Sequence, residues 1–252
     1  MPLKKTEAIV LKSQRQGETS KILTLYTIAF GKVKVIAKGA RGVRSKFGGN
    51  LEPLNYVAIV FFEKESREIQ ILSQAEIIEP FAQIKAEVEK TAIALAVCEL
   101  INRLEIGLQP NPGLFRLQLE TLKAMNRTPQ PLHVFRAFQT KLFEILGIRP
   151  NLTSCLKCNR QKNEASVFDI PHGGFLCEAC NPGAASGMVL SSEALAALRS
   201  LQQNPITDVN GLVLSTFSQS QVDDLIAAYL KYHVAGMREL NSLRFLKKLK
   251  RT

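Results

Sequence analysis

No stretch of this sequence approaches the roughly 18 to 20 uninterrupted apolar residues that a membrane span requires. The longest candidate, "TAIALAVCELINRL", is broken by Glu99 and Arg103. The N-terminus, "MPLKKTEAIVLK", lacks the long apolar core of a secretory signal. Both absences predict a soluble cytoplasmic protein, in a compartment that favours thiols or thiolate-bound metal over disulfides. Catalytic motifs are missing too. His133, His172 and His233 form no metal pair, and there is neither a GxxxxGK(S/T) phosphate loop nor a GxSxG elbow. A protein that is not an enzyme is expected.

A further absence is local. Residues 31–50, "GKVKVIAKGARGVRSKFGGN", hold Lys32, Lys34, Lys38, Arg41, Arg44 and Lys46 but no acid. The first fifty residues carry eleven Lys/Arg against Glu7 and Glu18, a surplus of nine in a chain whose whole surplus is eleven. A charge excess gathered in one fifth of a chain suits a polyanion: nucleic acid first, an anionic membrane surface second, an acidic protein third.

The 252 residues suffice for one large domain or two ordinary ones. Up to about residue 80 the pattern is β: "EAIVLK", "ILTLYT", "KVKVIAK", "YVAIVFFE" and "EIQILSQAEII" lie close together with no long helical period between them. That predicts a small closed antiparallel barrel. In "KVKVIAK" alternation sets Val33, Val35 and Ala37 on one face and Lys32, Lys34, Ile36 and Lys38 on the other, with lysines about 6.6 Å apart. The spacing suits a phosphate chain; a solvated outer face that discourages edge pairing accounts for it equally well. The continuation "GARGVRSKFGGN" reads as a mobile basic loop able to close over nucleic acid. Its GxxG lacks the flanking helices of the RNA-binding module that uses that spacing and is taken as chance. Tyr26, Phe30 and Tyr56 read as core aromatics, whereas Phe47, inside the basic loop, is the candidate for stacking on a base.

After residue 80 the period becomes helical, with segments at about 84–104, 113–127, 131–147, 191–203, 218–235 and 237–250. Ser218 and Gln221 have the spacing of a capping box, and Asp223 and Asp224 then fall in a first turn, where acids complement the helix dipole. Cys98 reads as an inert helix cysteine. The basic end "RFLKKLKR" is sufficiently explained by the negative end of a helix dipole.

The most specific motif is Cys155-x2-Cys158-x18-Cys177-x2-Cys180. Two C-x2-C turns present four thiolates to one tetrahedral ion, and the closed shell makes a single structural Zn2+ the expected cofactor. A redox dithiol needs only one such pair, and disulfides do not suit the compartment. His172 is not needed as a ligand.

These stretches together resemble the RecO family of bacterial recombination mediators over essentially the full length. The resemblance rests on "EAIVLKSQRQGETSKILTLYTIAFGKVKVIAKGARG", with Arg15, Glu18, Ser20, Thr27, Gly31, Gly39 and Arg41 in the family's order. It rests also on "LEPLNYV", "FQTKLFEILGIRPNLTSCLKC", "SSEALAALRSL" and "LNSLRFLKKL". It implies an α+β protein: an N-terminal OB-fold β-barrel, then an α-helical domain with an inserted four-cysteine zinc motif. The expected domains are 1–80, binding DNA, and 81–252, helical, with the zinc-binding segment at 152–183. The resemblance further implies binding of single- and double-stranded DNA, strand annealing, and work with RecR to load RecA on strands coated by the single-stranded-DNA-binding protein. Members that lack the four cysteines keep the helical domain, which supports a structural metal. The candidate DNA-binding residues are Lys12, Arg15, Lys21, Lys32, Lys34, Lys38, Arg41, Arg44 and Lys46. Arg103, Arg116, Lys123, Arg127, Arg136 and Lys141 are candidates to rim a pocket for the coating protein's acidic tail. A cytoplasmic, nucleoid-associated location follows. The alternatives are a zinc-stapled RNA-binding protein, which would share the basic barrel, and a nuclease, which would need clustered acids or an open metal site.

Overall fold

The computed structural model describes residues 2–43, 45–104, 108–161, 166–180 and 187–249. The chain forms two compact units, one of Met1–Pro131 with Glu239–Thr252 and the other of Leu132–Arg238.

In the first unit β1 (Leu3–Gln16), β2 (Ser20–Thr27), β3 (Gly31–Ala37), β4 (Tyr56–Phe62) and β5 (Ile69–Glu79) close a barrel in the order β1-β2-β3-β5-β4. Only the β3–β5 pairing is parallel. This is the OB topology, and closure removes the exposed edges that short strands otherwise present. Alternation sends Val10, Leu23, Leu25, Val35, Val57, Ile59 and Phe61 inward.

Strand β1 departs from simple alternation. Ala8, Ile9, Val10 and Leu11 are all buried. The register then jumps, from Val10 opposite Leu25 to Lys12 opposite Thr24. Leu11 is the extra residue of a β-bulge, and the bulge turns Lys12, which shares the parity of Ala8 and Val10, out of the core.

The 38–55 connection is tied down rather than loose. Turns lie on both sides of residue 44, with Gly42 N–H on Gly39 O, Ser45 N–H on Gly42 O and Asn50 N–H on Phe47 O. Asn50 Nδ2 donates to Ala75 O, and Asn55 Nδ2 to Gly49 O. Phe47 is 1% exposed and packs in the barrel core. The expectation of a stacking Phe47 in a core-less loop is thereby corrected, because the loop folds back and uses its aromatic as a plug. Tyr26 and Tyr56 are buried as expected.

Helices α1 (Ala82–Ala86), α2 (Val88–Arg103) and α3 (Pro112–Arg127) belong to the same unit, with α7 (Asn241–Leu249) returning to it from the far end of the sequence. Asn111 caps α3, its side chain accepting from Leu114 N–H, and Pro112 occupies the first turn. Glu99 of α2 holds the start of α7: its carboxylate accepts from the N–H groups of Asn241 (2.9 Å) and Ser242 (3.0 Å) and from the Ser242 hydroxyl (3.0 Å). Burial pushes the Glu99 carboxyl up, but these donors and Arg103 outweigh it and hold it below the usual carboxylate range. A depressed folded value means that the contribution is present above the ordinary carboxylate pKa, about 4.3, and fades as pH falls through the folded value. The protection factors of the Asn241 and Ser242 amides, which allow for the slower intrinsic exchange in acid, should therefore fall on acidification. Glu99→Gln should show that reduced protection already at neutral pH; equal protection in the variant would refute the anchoring role.

The second unit comprises α4 (Pro131–Ile145, whose first residue marks the boundary), α5 (Ser192–Gln203), α6 (Thr216–His233) and a four-stranded sheet. That sheet, β6 (Asn151–Cys155), β7 (Ser166–Asp169), β8 (Gly174–Phe175) and β9 (Met188–Leu190), has the order β6-β8-β7-β9. Phe168 stands edge-on to Phe175 (5.2 Å between centroids) and to Tyr229 (5.9 Å), and Tyr229 to Phe143 (4.9 Å), so sheet and helices share one aromatic core. Gly173, at φ +69°, admits Tyr229: a Cβ there would lie 2.5 Å from its hydroxyl. Helix α6 is capped by Ser215, whose hydroxyl accepts from Ser218 N–H, not by Ser218. Asp223 accordingly lies two turns inside the helix. It accepts Nε and Nη2 of Arg136, each at 2.7 Å, so its role is an ion pair and not dipole compensation.

Candidate nucleic-acid interface and metal centre

The barrel sorts the basic residues that its sequence clusters. Across β1, β2 and β3, Lys12, Thr24 and Lys34 are register partners and share one outer-face row. Strand spacing of about 4.8 Å separates the two lysines by roughly 10 Å. Lys38 follows the end of β3 and is exposed. Lys12 and Lys38 have no ion-pair partner among the described residues, whereas Lys34 pairs with exposed Glu68. The same face is closed lower down, at the Ile9–Tyr26–Lys32 row, where Tyr26 donates to Asn111 O and packs against Phe115. Lys32 Nζ donates there to the carbonyls of Asn102 (2.6 Å) and Leu104 (3.1 Å) and caps the C-terminal end of α2.

Arg15 and Lys21 are register partners on the alternate side of the ladder, at the barrel's end, and Lys21 pairs with Glu52 at 2.7 Å. Arg41 clamps the β1–β2 turn, with Nη1 donating to Gly17 O and Glu18 O and its own N–H to Thr19 O. Lys46 lies over the Phe47 ring (5.1 Å) and, with Lys5, lines a cleft of about 450 Å³ beside β4 and β5. Arg44 lies outside the described residues. The structure thus sets Lys12 and Lys34 in one outer-face row, leaves Lys38 exposed just past the end of β3, and gives Lys32 and Arg41 structural hydrogen bonds. The bulge that delivers Lys12 has no sequence signal, since "AIVLK" reads as a plain buried strand.

Of the tail-pocket candidates, Arg116, Lys123 and Arg127 are exposed on α3. Arg103 is tied to Glu99 and to Glu239 O, and Lys141 lies 3.5 Å from Gln202 O. Arg136 is 2% exposed and paired, which removes it as a rim residue.

The four cysteines converge. All four sulfurs lie within 4.8 Å of one another, and Cys158 Sγ is 3.6 Å from Cys177 Sγ. Sulfurs about 2.3 Å from one tetrahedral ion would stand about 3.8 Å apart, so the donor set fits such a metal. Strand β6 delivers Cys155, and a turn closed by Asn159 N–H on Cys155 O (3.0 Å), with Asn159 at φ +56°, delivers Cys158. The 3-10 turn Glu178–Cys180 joins the other two, Cys180 N–H donating to Cys177 O at 2.9 Å. The N–H groups of Cys158 and Cys177 bring the Cys155 thiol down to about 6. Cys180, bonded as a neutral thiol to Cys177 and Cys158, is pushed up to about 12. The four sulfurs could all ionise this close together only around a cation. All four are free of disulfide. Cys98 is separate: burial raises its thiol to about 12 and makes it inert. Among the described residues no helix is long and apolar enough to cross a membrane.

An OB barrel with an open lysine face, in a chain that also holds four cysteines able to bind a metal, defines the structural class. Residues 1–81 match the family described as Recombination protein O N terminal, and residues 86–244 match Recombination protein O C terminal. A protein named DNA repair protein RecO from Anaeromyxobacter dehalogenans (strain 2CP-C) is 30% identical over 243 residues, 96% of this chain and 95% of its own. Proteins of the same name from Desulforamulus reducens (30% over 250 residues, 99% and 96%) and Thermoanaerobacter sp. (strain X514) (31% over 235 residues, 93% and 94%) are similar in the same way. The chain belongs to the RecO family of DNA repair proteins.

Proposed function

We propose that the protein is a recombination mediator, not an enzyme. It binds single- and double-stranded DNA without sequence preference, anneals complementary strands and, with RecR, helps load RecA on strands coated by the single-stranded-DNA-binding protein. The observation that carries this reading is the outer-face row of Lys12 and Lys34, with exposed Lys38 just beyond β3, in a chain of a DNA repair family. Ammonium groups in a row hold phosphates and carry no base information, so binding is sequence-blind. Neutralising phosphates on two strands lets them approach, and base pairing drives the annealing. In this reading residues 1–80 bind DNA. Residues 81–252 offer the acidic tail a site with Arg116, Lys123 and Arg127 at its rim. Within 152–183, Cys155, Cys158, Cys177 and Cys180 hold one Zn2+ that staples the fold. The place of action is the cytoplasm, at the nucleoid.

The test is a salt titration of affinity for wild type and for the Lys12→Ala/Lys34→Ala/Lys38→Ala variant, run beside an annealing assay and with an RNA strand as competitor. If each lysine neutralises one phosphate, the slope of log affinity against log salt should fall by about 2. Circular dichroism should be unchanged, because all three side chains are exposed. An unchanged slope in a folded variant would move the interface elsewhere, and preference for structured RNA would overturn the DNA reading.

A further inference from the structure

The β3–β4 connection carries a residue that the phosphate face does not use. Val43 is 106% exposed, the most exposed of the large hydrophobic side chains among the described residues. It lies between two exposed cations, Arg41 and Lys46, and a few residues beyond Lys38. A single exposed valine is ordinary on a protein surface. The way this one is held is not. On its N-terminal side Arg41 is fixed by its N–H to Thr19 O (2.8 Å) and by its guanidinium to Gly17 O (3.0 Å) and Glu18 O (2.9 Å). On its C-terminal side Phe47 is sunk in the barrel core. Both stems are anchored, and the Val43 side chain between them is left in solvent. A loop that only linked strands would gain by a polar residue there.

An apolar tip between cations matches the two chemistries of a nucleic-acid strand, apolar base faces and anionic phosphates. We propose that Val43 is a wedge that inserts between successive bases of the bound strand while Lys38 and Lys46 hold the flanking phosphates. The proposal rests on the DNA-binding reading above. It adds a contact to the bases that is indifferent to their identity, since every base has an apolar face.

The chain has no tryptophan, so Val43→Trp places a single indole at the tip of the full-length protein. The probes are an oligothymidylate and an abasic phosphodeoxyribose oligomer of the same length. The introduced indole should lose more than half its emission on the oligothymidylate and none on the abasic strand. Val43→Ser should weaken binding to the base-bearing strand roughly five- to tenfold, the scale of burying one small aliphatic side chain. The salt slope and the affinity for the abasic strand should not change, and Val43→Leu should restore binding. Normal binding by the wild type together with equal emission of the Val43→Trp variant on both strands, or an equal loss of affinity on both for Val43→Ser, would overturn the wedge and leave the DNA reading standing. Failure of the wild type to bind either strand would overturn both.

Discussion

Replacing Cys155 and Cys158 together by serine is expected to strip the protein of metal and melt the small sheet of the second unit, with the barrel unit left folded. Two remaining thiolates cannot complete a tetrahedral shell, and the sheet has little else to hold it. Its strands run from two to five residues, and its buried apolar side chains are few: Leu152, Phe168, Phe175 and Leu190. Zinc held by such knuckles contributes on the order of 10 kcal/mol or more to local folding. That matches or exceeds the roughly 5–15 kcal/mol net stability of a whole domain. The loss should spread to α4 and α6, because Phe168 packs on Tyr229 and Tyr229 on Phe143. Metal analysis should give one equivalent of zinc for the wild type and none for the variant, and exchange protection at Phe168 and Phe175 should disappear. The salt slope of DNA binding should be retained, since the proposed contacts Lys12, Lys34 and Lys38 are all in the barrel unit. A wild type purified without metal and fully protected from exchange would refute the structural role; a variant with a lost salt slope would relocate the DNA interface.

What could be read in the sequence and what could not divide by range. Strand alternation in "KVKVIAK" and the C-x2-C spacings are local, and the structure places Val35 inward, Lys34 outward and the four sulfurs together. The unread features depend on partners far away in sequence. Phe47 looks homeless in its loop because the core it fills is built from β1 to β5. Lys32 looks like one more phosphate ligand, yet its acceptors are about seventy residues downstream. Lys12 faces outward only because Leu11 is inserted against β2, a register event that composition does not record. The start of α6 lies about one turn before Ser218, because Ser215 and Ser218 are both good caps and the structure uses Ser215. The Ser218 hydroxyl is instead engaged with Glu193 of α5.

The same spacing conceals an ion pair whose loss should be costly to the second unit. Arg136 and Asp223 meet bidentately, at 2.7 Å on both arms, but their surroundings are unequal: the arginine side chain is 2% exposed and the aspartate 52%. Around the guanidinium, Nη1 and the neighbouring His133 Nδ1 are buried without a protein hydrogen-bond partner. Burial first, and Arg136 second, hold the His133 imidazole below its usual range, so it adds no charge to this pocket at neutral pH. The buried cation therefore depends on Asp223 for its compensation, whereas Asp223 can turn to water. Asp223→Asn should cost about 3 kcal/mol, the lower end of the range for stranding a buried charge, because solvent reaches one side of the pair. Arg136→Met keeps most of the buried stem and leaves a carboxylate that hydrates, so it should cost about 1 kcal/mol. With both replacements the cost should return close to that of Arg136→Met alone, a coupling of about 2–3 kcal/mol in the double-mutant cycle. Denaturant unfolding at neutral pH measures all three. Equal costs for the two single variants would mean that the pair is a surface contact and that the burial of Arg136 is compensated by something other than Asp223.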